Sequence, residues 1–173
     1  MGFFKIELLS KTSNRYLLIV FSMLAIFSSQ VQAIDKASLG LGTSVLGVLD
    51  DHKIICGCIE YRPAFEMYKM SPWISIEFAE DIFYMAVGIR MNFNLTDDIW
   101  LTPSFGVGFF SENSRIELGS PIEFRSAIEL GYRFNHSGRL GVSFGHISNG
   151  GLDGTNPGSE ILKISYYFPL GSN

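Results

Sequence analysis

The chain has 173 residues, of which 47% are apolar and 17% charged, with a net charge of −4. That acidic balance argues against a nucleic-acid partner, which wants a basic surface, and the length suits one domain. Beyond residue 33 no apolar run reaches eighteen residues, so a membrane protein of this composition would have to cross as a closed β-barrel.

In chain order, the first element predicted is an export signal over residues 1–33. Lys5, Lys11 and Arg15 make a basic start, residues 16–27 (YLLIVFSMLAIF) are apolar, and Val31-Gln32-Ala33 is a small-residue cleavage pattern. The apolar stretch is too short for a spanning helix. Removing this segment leaves a domain over residues 34–173 with 10 basic and 16 acidic residues.

Eight alternating runs follow, over residues 36–48, 53–62, 72–79, 82–94, 99–110, 122–134, 139–148 and 160–168. Turn-forming residues separate them. The segment 63–71 is long for a turn on the periplasmic side of such a barrel. In the fourth run Phe83, Met85, Val87, Ile89, Met91 and Phe93 share one face, opposite Tyr84, Ala86, Gly88, Arg90 and Asn92. In the sixth, Phe124, Ile128, Leu130, Tyr132 and Phe134 stand opposite Arg125, Ala127, Glu129, Gly131 and Arg133. A period of two is the signature of strands with one apolar face.

Two architectures fit such strands, a soluble sandwich and a membrane barrel. The export signal, the even strand count and the Arg/Glu/Gly composition of the polar face favour an eight-stranded antiparallel transmembrane barrel. Its apolar face would meet lipid, and its small lumen would be filled by side chains. Trp73, Phe93, Phe110, Phe134, Tyr166 and Phe168 are expected at the interfacial girdles. Cys56 and Cys58 share a face two residues apart and are read as small buried side chains; a redox or metal pair is the minor reading.

The seventh run, RLGVSFGHIS, puts His146 and Ser148 in phase with Leu140, Val142 and Phe144. In the eighth, Glu160 shares parity with Leu162, Ile164, Tyr166 and Phe168. If His146 faces Glu160, the same register aligns Phe144 with Leu162, Val142 with Ile164 and Leu140 with Tyr166. A base, a nucleophile and an acidic orienter would then look outward into lipid. With both termini periplasmic they sit at the outer-leaflet end. The Asn149 side chain and the glycine backbone at 150–151 would donate to a developing oxyanion. The bland alternative is three loop-edge polar residues. His52 and His136 fall in turns, and Asp153 and Asn156 either shape a loop or touch substrate.

The run His146-Ile-Ser148-Asn149-Gly-Gly151, then Asn156-Pro-Gly158-Ser-Glu160 and a strand ending Tyr167-Phe168, resembles the lipid A 3-O-deacylases of the PagL family. The match is strong over residues 145–168 and weaker elsewhere. The resemblance implies an eight-stranded outer-membrane barrel with Ser148 as nucleophile, His146 as base and Glu160 as its orienter. It implies Asn149 and Gly151 at the oxyanion hole, with Asn156 in support. The expected substrate is lipid A of lipopolysaccharide, which would lose the 3-hydroxyacyl chain ester-linked at its 3-position. No metal or organic cofactor is implied, and the sequence leaves monomer and homodimer both open. Two other functions remain: an outer-membrane phospholipase using the same trio, and a structural or adhesive barrel without chemistry.

Overall fold

In the computed structural model of the chain, described over residues 31–32, 36–111, 116–134 and 138–171, the alternating runs form eight long strands. These are β1 (Ser38–Leu46), β2 (Ile54–Arg62), β3 (Met70–Ala79), β4 (Ile82–Met91), β5 (Ile99–Ser111), β6 (Ile122–Arg133), β7 (Arg139–Ser148) and β8 (Ser159–Pro169). The expected export signal lies outside the described residues, apart from a two-residue strand at Val31–Gln32. Each strand pairs antiparallel with its neighbours in sequence, and β8 pairs with β1, which closes the barrel. Closure leaves no sheet edge along the main path, as a spanning sheet requires.

The outer wall is greasy. Val87, Phe105, Ile128, Leu130 and Phe144 are each about half exposed, whereas Glu129 and Arg125 on the opposite face are 4% and 3% exposed. A water-soluble protein could not carry so continuous an apolar belt, so the apolar face meets lipid. The chain is an integral membrane barrel of the outer-membrane type. Tyr132, Phe134, Tyr166 and Phe168 cluster at the end opposite His146, with ring centres 5.1, 6.1 and 4.7 Å apart in succession. They form an interfacial girdle. Two aromatics expected there are elsewhere: Trp73 and Phe110 point into the lumen and are almost fully buried. Parity decides this, because both stand on the inward face of their strands.

The lumen is filled in two layers. In the middle, Arg62 donates to both carboxylate oxygens of Glu129, at 3.0 and 2.8 Å, and to Glu60 at 2.6 Å. Tyr167 accepts from Arg62 at 2.5 Å and donates to Glu129 at 2.7 Å; Lys163 closes on Glu60. Arg125 donates to Glu77 at 2.6 Å, and Ser44 adds a bond to the same carboxylate. Glycines make room for the large partners: a Cβ at Gly131 would overlap the Trp100 ring. A void of about 20 Å³ lies among these charges, enough for roughly one water.

Removing one member of such a network strands the others as buried charges. Arg62→Ala is therefore expected to lower barrel stability by about 3–5 kcal/mol. Urea unfolding in lipid vesicles, followed by tryptophan fluorescence, measures this. A midpoint equal to wild type would mean that the network adds nothing.

Toward the end that carries His146 the lumen turns apolar. Leu46, Ile54, Cys56, Ile82, Tyr84, Phe110, Ile147 and Ile161 pack together there, and Ile116 and Leu118 fold in from the β5–β6 connection. Cys56 and Cys58 are free and buried. The segment 63–71 resolves into a further tight hairpin. Glu66–Met67 is a short strand, Met67 pairs with Met70, and Tyr68 and Lys69 take positive φ (52° and 64°) at the tip. Positive φ at two successive residues is what a two-residue hairpin turn demands.

Candidate active site on the lipid face

The site forms where β7 ends and β8 begins. His146 pairs directly with Glu160, and the ladder continues Phe144↔Leu162, Val142↔Ile164 and Leu140↔Tyr166. The expected register is the one present. His146 Nδ1 lies 3.3 Å from Glu160 Oε1, with side chains 47% and 26% exposed on the outer wall. Ser148 follows two residues along the same face, at the last position of β7, and is half-buried. Among the described residues no hydrogen bond joins its hydroxyl to His146.

The intervening residues hold this face outward. Ile147 and Ile161 point inward into the apolar layer and are fully buried. Ser159 donates to Asp50 Oδ2 at 2.8 Å, and the carbonyl of Glu160 accepts from Gly47 N and Val48 N at 2.9 and 3.2 Å. Sequence reasoning passed over these supports from the β1–β2 turn. Only the closure of β8 on β1 brings them near.

The residues of the 149–158 loop bond mainly to one another and to the β5–β6 connection. Asn149 is fully buried. Its side-chain amide donates to Leu118 O at 3.0 Å and Thr155 O at 2.7 Å, and its Oδ1 accepts from Gly151 N at 2.8 Å. Asn156 Oδ1 accepts from Asn149 N at 3.0 Å. Both amide hydrogens of Asn149 are thus engaged, and they tie the 149–158 loop to the β5–β6 connection. Asn156 and Asp153 likewise shape the loop, Asp153 by accepting from Gly154 N at 2.7 Å. His52 lies in the β1–β2 turn, away from strand positions, and His136 lies outside the described residues.

Beside His146 the outer wall carries a shallow groove of about 400 Å³, lined by Pro103, Ser126, Ile128, Phe144 and Gly145. Ser126 on β6 is the other cross-strand partner of His146. No sequence signal points to it, since one serine among apolar residues is unremarkable. Among the described residues no group of three or more His, Cys, Asp or Glu converges to hold a metal ion.

A family model described as Lipid A 3-O-deacylase (PagL) matches residues 65–169, which includes the whole trio. The chain belongs to the PagL family. The lipid A deacylase PagL of Bordetella bronchiseptica is 31% identical over 71 residues, a stretch that is 40% of each chain. This chain therefore matches about two-fifths of that relative's length. Among solved structures, the outer membrane enzyme PagL superposes with a TM-score of 0.53 at 19% identity, covering 77% of this chain and 99% of the other. Neisserial surface protein A gives 0.56 at 8% identity, covering 80% and 98%. At those identities the two structures bear on the barrel fold alone.

Proposed function

We propose that this PagL-family chain is a serine esterase of the outer membrane. Its substrate is lipid A, and the bond hydrolysed is the ester of the 3-hydroxyacyl chain at the 3-position. The observation that carries the reading is the direct pairing of His146 with Glu160 on the lipid face. A soluble substrate cannot reach that face, whereas a lipid arrives sideways with its ester at the headgroup boundary. The groove beside His146 offers an apolar bed to the departing acyl chain.

In this reading Ser148 Oγ attacks the ester carbonyl while His146 takes its proton. Glu160 holds Nδ1, fixing the tautomer and stabilising the imidazolium. The imidazolium then protonates the departing sugar oxygen, leaving an acyl-serine. Water, deprotonated by the same imidazole, attacks that ester; the fatty acid leaves and Ser148 regains its proton. The oxyanion develops beside the Asn149–Gly151 turn. Gly151 N–H already points at an acceptor, Asn149 Oδ1, and an anionic oxygen competes well for such a donor.

Mass spectrometry of lipids from cells with and without the protein tests this. Lipid A should lose the mass of one 3-hydroxyacyl chain while glycerophospholipids stay intact. Lysophospholipids with unchanged lipid A would move the assignment to a phospholipase, and two unchanged lipid profiles would end the esterase reading.

A further inference from the structure

We propose that Gly158 is a positioning residue for His146, its bare Cα being what lets the imidazole stand beside Glu160; this rests on the esterase reading above. Gly158 lies in the loop just before β8 with φ of +65°. A Cβ built there would come 2.7 Å from His146 Cε1 and 2.9 Å from Nε2, with Ile147 O at 3.2 Å. Cε1 lies between the two ring nitrogens, and Nε2 is the nitrogen that does not face Glu160. The imidazole therefore has a carboxylate at Nδ1 and peptide backbone against its Cε1–Nε2 edge. No residue but glycine leaves the ring where it is.

Something must yield if a Cβ is added, and the structure indicates which part. The backbone is clamped on both sides of Gly158. Downstream, Ser159 pairs with Ile147 and is bonded to Asp50, while the Glu160 carbonyl holds two N–H groups. Upstream, Asn156 is bonded to the backbone of Asn149. The imidazole is about half exposed toward lipid, with a polar contact to Glu160 at 3.3 Å. The ring will move, and the clamped backbone will stay. A base displaced by an ångström costs roughly 100-fold in rate, while the apolar lining of the groove at Pro103, Ile128 and Phe144 stays in place.

Four proteins test the proposal in lipid vesicles: wild type, Gly158→Ala, Gly158→Asn and Gly154→Ala. Asparagine tolerates positive φ, so the Asn variant separates the Cβ contact from backbone strain. Gly154 has open space around it and serves as the loop control. Each is assayed for kcat and KM on lipid A, for the rate at which a fluorophosphonate probe labels Ser148, and for its unfolding midpoint. Both Gly158 variants should lose about 100-fold in kcat and in labelling rate, with KM changed less than about threefold. Gly154→Ala should match wild type.

Several outcomes overturn the positioning role. These are retention of kcat in both variants, recovery in the Asn variant alone, a rise in KM with kcat kept, or failure of both variants to assemble. A wild type that neither releases acyl chain nor takes up the probe at Ser148 overturns the esterase reading itself, which keeps the two failures distinct.

Discussion

Ser148→Ala protein will assemble into the same barrel and lose lipid A deacylation by on the order of 10⁴-fold or more. The stability half of this expectation follows from the packing. Ser148 stands at the end of β7 on the outer wall, and what fixes it there is the inward burial of Ile147 before it and Asn149 after it. Its hydroxyl carries no structural bond among the described residues, so removal should change stability by less than about 0.5 kcal/mol. The activity half follows from chemistry: without an oxygen at that position no acyl-serine can form. Lipid A mass spectrometry on vesicles containing equal amounts of heat-modifiable protein measures both. Deacylation by the alanine variant near the wild-type rate would remove Ser148 from the mechanism.

His146→Ala should cost nearly as much, for a related reason. A serine hydroxyl at neutral pH is a poor nucleophile until a base takes its proton. Glu160→Gln is the informative companion. In the proposed mechanism the carboxylate 3.3 Å from Nδ1 orients the ring but exchanges no proton with substrate, so the loss should be nearer 10- to 100-fold. The double variant Ser148→Ala, His146→Ala should be no slower than either single one, because the two act as a unit. Multiplying losses in the double variant would mean that the residues serve separate steps.

Much of this arrangement was legible in the chain. A strand with lipid on one side and a packed lumen on the other writes a period of two, and a single register aligned every apolar pair between β7 and β8. That is why His146 and Glu160 could be matched before any coordinates. The lumen was harder. An apolar inward layer looks the same in sequence as an apolar outward belt, so Trp73 and Phe110 were placed at the girdle when they plug the barrel. The role of Asn149 depends on carbonyls at Leu118 and Thr155. The first of these arrives from another connection, and no local pattern announces it. Segment 63–71 read as one long turn because Tyr68-Lys69 lacks the Asn-Gly chemistry that usually marks a two-residue hairpin.

The double filling of the lumen has a physiological corollary. Among the described residues, charges locked to one another in the middle and a largely apolar layer above them fill the lumen across its width. Many copies could therefore sit in the membrane without leaking ions, antibiotics or nutrients, so the abundance of the protein is free to rise without weakening the permeability barrier of the cell.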